Sequence, residues 1–263
     1  MNVFVFDIET VPDVATARRL WDLGDELDDD GVAAVMYSKR QQETGGQSEF
    51  LRHHLHRVVA ISAVFREQDR FNVWSLGSEE ADEAELIRRF FEGVERYTPT
   101  LVSWNGGGFD LPVLHYRAML HDIAAPRYWD TGDDDRNFRY NNYLGRFHWR
   151  HIDLMDVLAG YQGRATVPLN QMAVMLGFPG KLGMSGAEVW NEYRAGNLKA
   201  IRDYCETDVL NTWLVFLKFE FMRGHLTAGA LAEEYERVRA FLRAHPASHF
   251  DAFLHAWDAH GSI

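Results

Sequence analysis

A single cysteine, Cys205, stands among the 263 residues, so no internal disulfide can form. That scarcity agrees with a reducing compartment. No apolar run is long enough to span a bilayer, and no charged leader with an apolar segment and cleavage site opens the chain. A soluble cytoplasmic protein without a membrane partner is therefore expected. Cationic residues are also short: Lys and Arg number 27 against 39 Asp and Glu, a formal charge of −12. Proteins that hold duplex DNA by its phosphates carry a basic face, so this balance argues against a tight, nonspecific duplex binder. Familiar ligand loops are missing too. The glycines 106–108 fit neither G-x-G-x-x-G nor the lysine-bearing nucleotide loop, and more simply let the backbone turn tightly. His53, His54 and His56, with His255 and His260 near the C-terminus, match no zinc spacing and read as surface or strand-edge residues. No internal repeat is found.

What is present is a substantial apolar fraction, 46% hydrophobic and 13% aromatic, and a set of placed carboxylates. Val3 to Ile8 reads as a buried strand, and Asp7 and Glu9, two apart on it, leave on one face. Thr100 to Trp104 is another strand, closed by the glycines and followed by a helix from Phe109 to Leu120. Asp110 sits at that strand-to-helix turn, where open α/β sheets place ligands. Leu198 to Met222 has helical spacing, and Tyr204 and Asp208, four apart, share one face of it. Acidic side chains are costly to converge without a cation, and a divalent metal with oxygen ligands is the usual one.

In this order, FDIET at the first strand, N-x3-F-D from Asn105 to Asp110 and Y-x3-D from Tyr204 to Asp208 resemble the DEDD 3′-to-5′ exonucleases. The tyrosine marks the subtype; the histidine subtype's H-x4-D has Asp203 at that position here. The nearest likeness is to stand-alone bacterial proteins related to the exonuclease domain of family-B DNA polymerases, and it runs from Met1 to about Gly224. The resemblance implies an α/β, ribonuclease-H-like fold with a mixed central sheet flanked by helices. It implies two divalent ions, Mg²⁺ or Mn²⁺, held by Asp7, Glu9, Asp110 and Asp208, with Tyr204 orienting the attacking water. Thr10, Asn105, Gly106 and Phe109 would contact the terminal nucleotide. Single-stranded 3′ ends, DNA in preference to RNA, are the expected substrate, and nucleoside 5′-monophosphates the product. An exoribonuclease of the same fold and a non-catalytic nucleic-acid-binding module are the alternatives.

Elsewhere, Asp13 to Gly24 and Val32 to Gln42 read as helices. Arg57 to Phe65 and Phe71 to Leu76 read as strands of a meander, and Glu79 to Tyr97 as an amphipathic crossover helix. Arg127 to Arg150 alternates basic and aromatic residues. It reads either as a single-strand grip, with Tyr140 and Trp149 stacking on bases, or as a loop whose rings pack and whose arginines pair with Asp130 to Asp135. Lys181, in the turn-rich connector 177–186, could reach a phosphate. A domain over 1–224 and a C-terminal helical extension over 225–263 are expected. The extension's helices, Leu226 to Arg243 and Ser248 to Ala259, would pack on the domain or on a second subunit.

Overall fold

The N-terminal apolar run forms strand β1 (Asn2–Pro12) in this computed structural model, which describes residues 1–260. The end of the expected extension, 261–263, and the side chain of His260 lie outside the described residues. Strand alternation sends Val3 and Val5 to one face of the sheet and Phe4, Phe6 and Ile8 to the other, each set in its own core cluster. Asp7 and Glu9 continue the valine row, so an apolar row ends in two carboxylates.

Helices α1 (Val14–Trp21) and α2 (Asp29–Glu43) follow, then strands β2 (His56–Glu67) and β3 (Arg70–Ser75), helix α3 (Glu83–Tyr97), strand β4 (Thr100–Ser103) and helix α4 (Asp110–Leu120). The remainder is α5 (Pro126–Trp129), β5 (His151–Asp153), α6 (Leu154–Leu158), α7 (Leu169–Met175), α8 (Val189–Arg194), α9 (Leu198–Met222), α10 (Ala228–Ala244) and α11 (Ser248–His260). The sheet order is β3-β2-β1-β4-β5. β1 and β2 pair antiparallel, as do β2 and β3, whereas β4 runs parallel to both β1 and β5. This is the expected α/β architecture, a mixed central sheet flanked by helices. β5, at three residues, is too short for an alternating period to show in the sequence.

Two of the expected helices start three or four residues away from the expected position, and capping explains both. Asp28 accepts from the Gly31 N–H and Asp82 from the Glu85 N–H, which sets the first turns of α2 and α3. The sheet is covered on both faces. α3 and α4 lie over Phe4, Phe6 and Phe65, while α9 lies over Val5, Val64 and Val102. α9 is buried on every side from Thr207 to Leu217, as the middle of a helix between layers must be: Trp213 and Leu217 are fully enclosed. Outside it pack α10 and α11. Phe241 meets Phe71 edge to face, Trp257 meets Phe178, and the buried Arg66 is held by Glu234 at 2.6 Å.

Candidate active site

Three elements meet at the carboxyl end of β1. The strand contributes Asp7 and Glu9, α4 begins with Asp110, and α9 brings Tyr204 and, one turn on, Asp208. Asp110 Oδ1 accepts the Ile8 N–H at 3.1 Å, which ties α4 to β1 between the two strand carboxylates. Cys205 Sγ lies 3.5 Å from the Asp7 carbonyl oxygen, so α9 rests directly on β1. α4 is anchored from its other side: Arg117 is buried between Asp13, which follows β1, and Glu83, at the start of α3. Glu83 also accepts the Val58 N–H of β2 at 2.7 Å.

The carboxylates are short of counter-charge. Burial and the neighbouring Asp110, Glu9 and Asp208 push Asp7 well above the usual carboxylate range. Burial and Asp208 do the same to Glu9, with Lys181 pulling back. Burial raises Asp110 to about 7 and Asp208 to about 6. Among the described residues, Asp208 Oδ1 is buried with no hydrogen-bond partner. Converging hard oxygens, one of them orphaned, fit a divalent cation. Ligand atoms of Asp7, Glu9 and Cys205 already lie within 4.8 Å of one another. Burial and Asp7 push the Cys205 thiol up, and a soft sulfur suits Mg²⁺ or Mn²⁺ less well than the carboxylate oxygens do.

Lys181 completes the cluster. Its Nζ donates to Tyr204 Oη at 2.5 Å and lies over the phenol ring. The connector is fixed for this by two asparagines that the sequence did not single out. Asn211 exchanges bonds with the N–H and C=O of Gly180, and Asn170 accepts the Lys181 N–H. Gly180, at φ +70, takes a left-handed turn that disfavours any other residue. Burial and Asp208 push the Tyr204 phenol far up, so it remains a neutral hydroxyl.

The loop before Asp110 is held by a further unanticipated residue, Asp153. Its two carboxylate oxygens accept from the N–H groups of Asn105 and Gly107, each at 2.9 Å, and so fix Asn105 at φ +64. At Gly106 a side chain would collide with Ser103 Oγ, so only glycine fits there.

Beside Glu9 opens a cleft of about 640 Å³, lined by Thr10, Phe50, His56, Phe109 and Trp190. The Phe109 ring has Phe50, His53 and His56 around it at 5.0–5.8 Å between centroids. His56 is buried rather than at the surface, with Nδ1 bonded to Thr10 Oγ1 at 2.9 Å, and burial lowers it to about 4. No spacing in the sequence signals that Phe50 and His56 wall this cleft.

Two expected contacts are not brought to the cluster. Tyr128, Phe138 and Tyr143 are buried, Arg127 pairs with Asp130 and Asp135, and Arg150 lies over the Phe138 ring. The packed-loop reading of 127–150 describes these three rings and Arg127, whereas Trp129, Tyr140, Phe147 and Trp149 are exposed. Trp149 stacks on Phe219 beneath Arg223. Phe219 is about 22 Å along α9 from Tyr204 at the helical rise per residue. Tyr140 is 84% exposed, but its neighbour Asn141 binds Arg150 at the amino end of β4 and β5, away from Asp110.

Residues 48–257 match a family described as a predicted 3′-5′ exonuclease related to the exonuclease domain of PolB. The match takes in Asp110, Lys181, Tyr204 and Asp208 and extends through α10 into α11, but starts after β1. The catalytic chain of DNA polymerase epsilon from Schizosaccharomyces pombe is 25% identical over 144 residues, 53% of this chain and 6% of the polymerase. Its Saccharomyces cerevisiae counterpart is 25% identical over 148 residues, with the same coverage. The chain thus matches only a small part of each of these polymerases. The family B DNA polymerase of the archaeon Pyrobaculum calidifontis aligns in structure with a TM-score of 0.47 and 18% identity, over 81% of this chain and 24% of the polymerase.

Proposed function

The chain belongs to this family of predicted 3′-5′ exonucleases, and we propose that it removes nucleotides from single-stranded 3′ ends, DNA in preference to RNA, with divalent cations held by Asp7, Glu9, Asp110 and Asp208. The observation that carries this reading is the convergence of those four carboxylates from β1, α4 and α9, with Asp208 Oδ1 buried and unpartnered among the described residues. Two bound ions, Mg²⁺ or Mn²⁺, would supply an activated water and offset the charge on the attacking and leaving oxygens.

The chain's own residues then have distinct tasks. Tyr204, kept neutral, is no base at ordinary pH; its hydroxyl positions a water by hydrogen bonding, as in the tyrosine subtype. Lys181 occupies one lone pair of that hydroxyl and so fixes its direction, while its charge faces the place a scissile phosphate would take. The cleft beside Glu9 is of a size suited to a small ligand such as a nucleotide. Phe109, backed by Phe50 and His56, offers a ring for the terminal base, and Asn105 and Gly106 bring backbone close to it. A base paired in a duplex cannot present its face to that ring, which favours frayed or single-stranded ends.

The test is degradation of matched 3′-labelled and 5′-labelled DNA and RNA strands with Mg²⁺, with Mn²⁺ and with chelator. Immediate release of 3′-label as mononucleotide from DNA, abolished by chelator, is expected. Chelator-resistant activity, or label released first from 5′ ends, would overturn the proposal.

A further inference from the structure

β3 is the outermost strand of the sheet. Its pairing with β2 runs through Arg70–Ser75 without a register shift, and it contains no proline. Proteins usually guard so regular an edge with a bulge, a proline or a covering element, because its free backbone groups invite another strand. The Leu76 N–H bonds to the Ile61 carbonyl, and hydrogen-bonded pairs alternate in an antiparallel ladder. Trp74, Asn72 and Arg70 therefore face β2, and the backbone of Phe71, Val73 and Ser75 faces outward. Consistent with this, the Ser75 carbonyl is taken by Arg202 from outside the sheet.

Along this edge lies a groove of about 700 Å³ that follows residues 72–77, with α3 on one side and the end of α10 on the other. Trp74, Tyr97 and Phe241 give it apolar walls. Its charge opposes that of the whole chain: Arg70, Arg89 and Arg96 line it against one carboxylate, Glu92, in a protein of formal charge −12. Arg89 is already paired with Glu85. Arg70 and Arg96 are exposed and have no ion-pair partner among the described residues.

We propose that this groove docks an extended acidic peptide segment of a partner protein, which adds to the sheet beside β3 as a sixth strand. The outward backbone of Phe71 and Val73 and the Ser75 N–H supply the pairing, with Arg202 closing the far end at the Ser75 carbonyl, and alternate side chains of the guest meet the arginines and the apolar walls. Charge decides between occupants. A second copy of this chain paired edge to edge would set the same arginines against each other, and a nucleic acid strand would leave the outward amides of β3 without the ladder that a peptide provides.

The probe is a blocked ten-residue peptide of alternating Glu and Val, with Gln–Val and Lys–Val peptides and a short oligothymidylate as comparisons. Hydrogen exchange of the full chain is followed at Phe71–Ser75, and affinity by fluorescence anisotropy. Binding of the Glu–Val peptide at least about tenfold tighter than the Gln–Val one, with slowed exchange at Phe71–Ser75, is expected. The exposed pair Arg70→Glu/Arg96→Glu should reverse the preference toward Lys–Val and leave nuclease activity intact, which also reports folding. Four results would overturn the proposal: no protection of β3, protection indifferent to peptide charge, protection by oligothymidylate alone, or concentration-dependent protection without any peptide, which would mark a self-interface.

Discussion

Asp7, Glu9, Asp110 and Asp208 act as a set, because each raises the cost of ionising the others. Replacing any one with Ala is expected to lower turnover by orders of magnitude while the chain stays folded, since the loss of one charge relieves the rest. Circular dichroism beside an end-labelled assay checks both halves. Tyr204→Phe should keep metal affinity and slow the single-turnover step; an unchanged rate would make the phenol structural. The titration has a definite sign. Asp208 is raised to about 6, against about 3.9 for an unfolded aspartate. Its contribution to stability is full below the lower value and is lost as pH rises through the upper one. In chelator, Asp208→Asn should therefore gain on wild type between about pH 4 and pH 7, by roughly 3 kcal/mol. His56, His115 and His151, each lowered to about 4 by burial, titrate over the same range, but in both proteins, and cancel in the difference. Urea midpoints across pH measure it, and a constant offset would contradict the coupling.

Among the elements, α9 and the strands of the meander are legible in the sequence because apolar period and turn residues agree there. The four carboxylates and Tyr204 are legible because short local spacings, two apart on a strand, at a strand-to-helix turn and four apart on a helix, put each on a definable face. The walls of the cleft are not. Phe50 lies in an irregular segment, and its approach to Phe109 depends on where residues 44–52 fold back, which no local period encodes. Asp153 lies at the end of a three-residue strand and acts on a loop nearly fifty positions earlier. Trp149 misleads for the opposite reason: its composition suits a base, yet its partner is Phe219. Asp153→Asn offers an amide N–H₂ where a carboxylate oxygen met one of the two loop N–H groups. About a tenfold or greater loss of metal affinity is expected, with a smaller change in melting temperature. Unchanged Mn²⁺ affinity would show that the loop holds without it. Phe50→Ala should weaken oligonucleotide binding measured in Ca²⁺, whereas Tyr140→Ala and Trp149→Ala should not.

At the scale of the molecule, the helices past Gly224 are joined to the rest by core contacts rather than by a linker alone. α10 and α11 share one apolar cluster with α9 and with Phe71 and Val73 of β3. Ending the chain at Gly224 would uncover that cluster, and insoluble or unfolded product is expected. Glu234→Ala leaves Arg66 buried without its carboxylate and should cost about 3–5 kcal/mol in chemical denaturation. The acidic balance of the chain predicts a shallow fall of nucleic-acid affinity with salt, because few phosphates can be neutralised. The whole scheme turns on whether the carboxyl end of β1 binds metal. Titration of Mn²⁺ into the full chain, followed by electron paramagnetic resonance, tests that most directly. Two ions per chain for wild type, with loss or severe weakening in Asp7→Ala, are predicted; a wild type that leaves Mn²⁺ free at millimolar concentration, or an Asp7→Ala variant that binds it equally well, would contradict the assignment.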